Sequence, residues 1–240
     1  MDFAIISDFF FKKMALLNLL AAAKNTLLLT MISMPLALTI GLTLALMRMS
    51  PKRLLSWPAS AYIEVMRGTP LLVQVYLINF SLAELGLALH TDLLTLRPFT
   101  TGIICLSANY AAYEAEIHRA GLQAIDKGQR EAALSIGMTP MQSFFLIVLP
   151  QAFRVILPPV INDLIAMLKD TSLLTVIGVA ELLDVAKSIG RERGTSAEIL
   201  VVAAFIYLVL SLACFALGKY VERRLKVKGV PELQMGPPRH

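Results

Sequence analysis

Two stretches dictate what this chain can become: residues 26–47, 22 positions without a charged side chain, and residues 199–218, 20 positions reading ILVVAAFIYLVLSLACFALG. A hydrocarbon core about 30 Å thick is crossed by about 20 helical residues, so each reads as a transmembrane helix. The composition points the same way. The chain is 57% apolar and 16% charged, where a soluble domain carries roughly 45–50% and about 25%. Disorder, a collagen-like fibre and a disulfide scaffold are excluded. Cys105 and Cys214 both lie in apolar runs, where a free thiol behaves as a small hydrophobe and not as a metal ligand.

Three weaker runs, residues 57–80, 98–118 and 153–170, are apolar but carry a few polar side chains, which predicts helices facing a protein interior. In the first, Glu64 and Arg67 stand three apart on one helical face and are expected to pair. In the third, Pro158-Pro159 precedes Asn162-Asp163. The double proline removes backbone donors, which a bilayer tolerates only where neighbours or a wet cavity satisfy the freed carbonyls. Either a kinked helix or a broken helix beside a passage answers that description.

Five spans put the termini on opposite sides. With the N-terminus outside, the short inner segments hold 12 of the 22 lysines and arginines and the outer segments 8, the bias expected of a cytoplasmic inner side. At the start, Lys12-Lys13 followed by MALLNLLAAA looks like a signal peptide, but the apolar part is short and a span follows at once. Residues 1–25 are therefore expected to form an amphipathic segment on the outer surface, and residues 221–240 a cytoplasmic tail. Residues 171–190 read as an interfacial helix, with Glu181, Asp184 and Lys187 on its polar face.

Residues 123–150, QAIDKGQREAALSIGMTPMQSFFLIVLP, are the polar exception. Asp126 and Gln129 have capping-box spacing, and Gly137 supplies a left-handed stop. Thr139-Pro140-Met141-Gln142 then opens a second helix with an N-cap, a first-turn proline and a capping-box glutamine, running to Pro150. The first helix presents small Ala132 and Ala133 beside Arg130 and Glu131. A long cytoplasmic loop or a docking knob for a partner would both read this way.

Glu131-Ala132-Ala133, then Gly137, then Ile147 to Pro150, fits E-A-A-x3-G-x9-I-x-L-P, and resembles the EAA motif of bacterial ATP-binding-cassette (ABC) importer permeases. RGTPLLVQ (67–74), AAYEAEIHRAG (111–121), KGQREAA (127–133), LPQAFR (149–154) and KDTSL (169–173) extend the resemblance to the permeases of the polar amino-acid subfamily, over residues 20–225. The resemblance implies an all-α integral-membrane subunit of five transmembrane helices, working as a dimer with an identical or homologous permease in the bacterial inner membrane. It implies that Gln129, Arg130, Glu131, Ala132, Ala133 and Gly137 form a cytoplasmic coupling segment seated in a partner ATPase dimer. An extracytoplasmic binding protein would deliver the amino acid. No G-x-x-x-x-G-K-[ST] loop occurs, so ATP and Mg are expected on the ATPase and no cofactor in this chain. The basic residues are assigned to topology, not to nucleic acid.

A zwitterion crossing a bilayer needs polar groups at mid-depth. Asn162, Asp163, Asn109, Tyr110, Gln74 and Asn79 are the candidates. Asp163 is the most informative, because an ionised carboxylate there must be paired. Its partner is either Lys169, in a structural network, or a cationic substrate, which would favour basic amino acids over glutamine or glutamate. Arg67, Glu64, Glu116, Pro158, Pro159, Lys169 and Asp170 are assigned structural or gating roles, Arg67 neutralising a carboxylate near Glu114 or Glu116. No metal set surrounds His118. A membrane enzyme would need clustered catalytic groups that are missing here, and a passive channel would not need the EAA segment.

Overall fold

The computed structural model describes residues 3–91, 96–194 and 196–225, and all its regular elements are helical. They are α1 (Phe3–Arg48), α2 (Arg53–Gly68), α3 (Leu71–Ala88), α4 (Pro98–Gln123), α5 (Lys127–Ser135), α6 (Pro140–Ser143), α7 (Leu149–Asp170), α8 (Leu182–Arg193) and α9 (Ser196–Leu225). Helices are what a bilayer allows, because each pairs its own backbone groups. The runs Lys13–Arg48, Leu71–Ala88, Pro140–Ile177 and Ala197–Arg224 are long and apolar enough to cross. The expected cytoplasmic tail beyond residue 225 lies outside the described residues.

α4, which is not among these runs, packs against α1, α2, α3 and α7. Ala111, Ala112 and Ala115 are fully buried, as are Cys105 and Leu106. Thr101, Ser107, Asn109, Glu114 and His118 of α4 are buried against protein as well. Small residues set how closely its neighbours come. A Cβ on Gly41 of α1 would lie 2.7 Å from Glu114 Cβ and 3.0 Å from both Ala111 O and Ala115 N. The Tyr62 hydroxyl donates to Ala108 O (2.8 Å), tying α2 to the same helix. Beside α1 and α4 lies a core of Leu29, Met34, Val75, Met167 and Leu174.

Four expectations change. First, α1 is unbroken across residue 25, so the described part of the N-terminal segment and the first span form one helix. Leu16, Leu17 and Leu20 are exposed while Leu19 and Ala22 are buried, so both faces are apolar there. Hydroxyls inside α1 bond back one turn, Thr30 Oγ1 to Thr26 O (2.9 Å) and Thr43 Oγ1 to Thr39 O (3.0 Å), which hides their polarity within the helix.

Second, the segment expected as one span over 57–80 is two helices, interrupted between Gly68 and Leu71. Pro70 has no amide to give Met66 O, the bond that would carry α2 onward. Third, the double proline does not break α7; Pro158 and Pro159 lie inside it, so the broken-helix alternative does not describe this segment. Nor does the helix opened at Pro140 stop at Pro150. Phe144–Val148 winds as a wide π turn, which runs directly into α7 with Pro150 near its start.

Fourth, residues 171–190 are not one interfacial helix. Thr171–Ile177 is a 3-10 helix, and α8 begins only after Glu181. That change of winding turns Glu181 inward, where it is fully buried. It caps α8 by accepting from the Asp184 amide (2.8 Å) and also accepts from the Tyr207 hydroxyl of α9 (2.5 Å). Burial holds its carboxyl above the usual carboxylate range, against the opposing pull of the Tyr207 hydroxyl and the Leu183 and Asp184 amides. The same loop is fastened to α1, with Asn25 Nδ2 donating to Ala180 O (2.8 Å) and the Leu182 amide to Thr26 Oγ1 (3.2 Å).

Gly41→Leu forces α1 away from backbone atoms of α4 that cannot yield. The expected cost is about 1–3 kcal/mol, visible as a lower midpoint of thermal unfolding in detergent.

Candidate functional site

Two regions collect the residues singled out in the sequence. The first is the connection between α4 and α7. Asp126 caps α5 by accepting from the Gly128 amide (2.6 Å); Gln129, expected to complete a capping box, is engaged there only through its amide, which donates to Asp126 O. Gly137 has φ +89°, the left-handed conformation that stops α5. At its end the Met138 amide reaches Ala133 O (3.1 Å) and the Gly137 amide Leu134 O (3.0 Å). The second box does close. Gln142 N donates to Thr139 Oγ1 (3.2 Å) and Thr139 N to Gln142 Oε1 (2.9 Å).

On this rigid turn Gln129, Arg130, Glu131 and Ala132 are exposed and Ala133 is buried. Apolar side chains that periodicity did not single out stand out beside them: Ile136 is 76% exposed and Met141 67%, with Phe145 and Leu146 nearby in the chain. Their signal was present in the sequence. Gly137 ends one helix and Pro140 starts the next, and a turn so short leaves Ile136 and Met141 no core to enter. Beneath α5, Arg130 and Lys127 border a hollow of about 530 Å³ lined by Leu46, Leu122 and Phe144.

The second region is a cavity of about 490 Å³ at the interruption between α2 and α3, lined by Arg67, Thr69 and Pro70 from that interruption, Asn109, Tyr110 and Tyr113 from α4, and Asp163 and Asp170 from α7. The Tyr110 hydroxyl donates to Asp170 Oδ2 (2.8 Å). The Arg67 guanidinium lies 5.4 Å from the centre of the Tyr113 ring, within cation–π range. Gln74, buried behind the wall, repairs the interruption. Its Nε2 donates to Met66 O (2.8 Å), Thr69 O (3.1 Å) and Thr69 Oγ1 (2.8 Å), and its Oε1 accepts from Asn109 Nδ2 (2.9 Å). The carbonyl that Pro70 leaves without a donor is thus served by a side chain.

Of the six expected pathway residues, Asp163, Asn109 and Tyr110 line this cavity and Gln74 backs it. Asn79 is half-buried on α3 and Asn162 exposed on α7, and neither borders the cavity. Arg67 and Asp170 join the site from the structural group, whereas Pro158 and Pro159 stay half-buried in α7. Lys169 is exposed and borders a different hollow, with Tyr207, so it does not pair with Asp163. The expected Glu64–Arg67 pair is replaced by a contact from Arg48 Nη2 to Glu64 (3.6 Å). Among the described residues Arg67 forms no ion pair with Glu116 either. Arg48 Nη1 (2.5 Å) and Arg119 Nη2 (2.7 Å) do so, a junction between the end of α1 and α4 that no local spacing signals.

Residues 37–227 match the family described as the inner membrane component of binding-protein-dependent transport systems. The chain belongs to this family. This permease is 41% identical over 201 residues to the L-cystine transport system permease protein TcyB of Bacillus subtilis, covering 83% of each chain. It is 39% identical over 201 residues to the arginine transport system permease protein ArtQ of the same organism, covering 84% of this chain and 89% of that one. Among solved structures it superposes on an amino acid ABC transporter crystallised with histidines, with TM-score 0.80, 38% identity and coverage of 93% of this chain and 99% of that one. The permease is accordingly a multi-pass inner-membrane protein and a transport component, not an enzyme.

Gln74→Leu removes the donor that serves Met66 O and Thr69 O. Losing these bonds, with Met66 O left only the longer Asn109 contact (3.4 Å), is expected to cost about 1 kcal/mol, read as a lower thermal midpoint in detergent than that of Asn79→Leu.

Proposed function

We propose that this permease carries basic L-amino acids into the cytoplasm by alternating access, driven by a partner ATPase. The observation that carries the substrate class is the charge inventory of the cavity: two carboxylates, Asp163 and Asp170, and one guanidinium, Arg67. A basic amino acid presents the complement, an α-ammonium and a cationic side chain against one carboxylate. A neutral amino acid would leave one acid unmatched, and glutamate would add a second anion. Charge-assisted hydrogen bonds are the strong ones, so this mismatch discriminates. The likeness to an arginine permease and to a transporter crystallised with histidines supports the same class.

For the energy input, the exposed EAA turn supports docking onto an ATP-binding-cassette dimer that holds ATP and Mg. Ile136 and Met141 supply apolar contact, and Arg130 and Glu131 supply register. Closure of that dimer draws the turns of two paired permeases together and rocks their helices between inward-open and outward-open states. An extracytoplasmic binding protein hands over the amino acid. The charge bias favours an outer N-terminus and a cytoplasmic C-terminus, which puts the EAA turn on the ATPase side.

In proteoliposomes holding the assembled transporter, Asp163→Asn is expected to raise the KM for arginine by about tenfold or more, the worth of one charge-assisted contact, and to leave glutamine within about twofold. Equal losses for both amino acids would exclude Asp163 from recognition. Gly137→Val, which forces a β-branched residue into the left-handed conformation, is expected to leave ATP hydrolysis running while transport stops. Normal transport by that variant would overturn the docking role of the turn.

A further inference from the structure

Lys127 and Arg130 stand three apart on one face of α5, and both border the hollow of about 530 Å³ beneath it. Among the described residues neither side chain forms an ion pair or a hydrogen bond. Two arginines near this end of the bundle are, by contrast, taken up within the protein. Arg48 bonds Glu116 and contacts Glu64, and Arg119 bonds Glu116 and donates to Gln123 Oε1 (2.7 Å). One acid, Asp126, also borders the hollow, and its Oδ1 accepts from the Gly128 amide (2.6 Å). Two cations against one carboxylate leave the hollow with an excess of positive charge.

Much of the remaining wall is apolar, with Leu46 and Met49 from the end of α1 and Phe144 and Val148 from the π turn. Leu46 is 48% exposed and Met49 42%, and Leu42, one turn earlier on α1, is exposed as well. Spaced by four and then three residues, Leu42, Leu46 and Met49 share one helical face. They lead from the hollow back along Lys13–Arg48, a run apolar enough to cross a bilayer. The free cations stand where that run ends. An apolar track that finishes at unpaired basic side chains mirrors a phospholipid, whose chains lie in the hydrocarbon and whose phosphate lies at its edge. Ile136 and Met141, the apolar tip of the EAA turn, do not border the hollow, so the surface offered to the ATPase is a different one.

We infer that this hollow binds the headgroup of an anionic phospholipid, with an acyl chain lying along Leu42, Leu46 and Met49. Lys127 and Arg130 take the phosphate oxygens, the guanidinium as a two-pronged donor and the ammonium as a point charge. The volume lies within the range of about 300–1,000 Å³ that encloses small ligands, room for a phosphodiester head while the chain stays outside against α1. A lipid seated there touches α1 and α5 at once and fastens the start of the EAA segment to the membrane surface.

The test is retention of dioleoyl phosphatidylglycerol by the complete transporter in neutral detergent, counted by native mass spectrometry against phosphatidylcholine with the same chains. Wild-type protein is expected to retain the anionic lipid in preference. Lys127 is the cation to change, because Arg130 also serves the docking of the EAA turn. Lys127→Gln is expected to lower affinity for phosphatidylglycerol about fivefold, the worth of one cation near an anionic headgroup. Leu46→Trp, which fills the hollow and spares both cations, lowers it at least as much. Both positions are exposed, so the fold is kept. Lys52→Gln, at an exposed lysine outside the hollow, stays within about twofold of wild type. Glycerol phosphate, the headgroup without chains, does not displace the lipid at equal concentration. Retention of both lipids alike, or an unchanged Leu46→Trp, overturns the proposal. An equal loss in Lys52→Gln overturns it in favour of general surface attraction, and displacement by glycerol phosphate in favour of a site for soluble phosphate.

Discussion

The close approach of α1 to α4 sets the geometry of everything else. Without a side chain at Gly41, the two helices meet nearly backbone to backbone along Ala111, Glu114 and Ala115. In lipid, where apolar surface alone does not pull helices together, contact of this kind is a main source of association, along with hydrogen bonds between helices. With α4 held in this way, its remaining faces place α2 through Tyr62 and Ala108, α3 through Asn109 and Gln74, and α7 through Tyr110 and Asp170. A helix with this many polar partners would be poorly tolerated facing lipid. Surrounded by protein, the same residues become the means of assembly.

The interruption at Gly68, Thr69 and Pro70 turns that scaffold into a site. An uninterrupted helix would have carried Arg67 past Tyr113 with its backbone sealed. Pro70 frees Met66 O, Gln74 and Asn109 satisfy it, and the chain bends around the space that Asp163 and Asp170 face. The interruption lies just before the run Leu71–Ala88, and both protein side chains and a polar cavity serve its freed groups.

Legibility in the sequence followed the range of each interaction. The caps at Asp126 and Thr139 and the stop at Gly137 depend on residues within a few positions, and they were readable. The spans at 26–47 and 199–218 were readable from length alone. The division of residues 57–80 was not, because apolar content is the same on either side of Pro70 and hides one missing amide. Glu181 was assigned to a solvated face by assuming a single helical period through residues 171–190; the 3-10 winding changes the phase by enough to bury it. Asp163 and Tyr110 stand out for polarity at depth, and Arg67 reads as a structural or gating residue. That they share one cavity while Asn162 and Asn79 do not is decided by packing between helices, which spacing along the chain does not encode.

The unbroken winding from Pro140 to Ile177 joins two regions that otherwise have little in common. At about 1.5 Å per residue, roughly 35 Å of rod separate Pro140 from Asp163. A rod pivoting near its middle moves both ends by equal and opposite amounts, so a tilt of about 10° displaces each by about 3 Å. Three ångströms is about the length of one hydrogen bond. The proline pair lies within the rod near its Asp163 end and leaves it one continuous helix, and the wide turn at Phe144–Val148 sits close to the other end. The permease therefore carries its own lever, with the load and the effort on a single piece of chain.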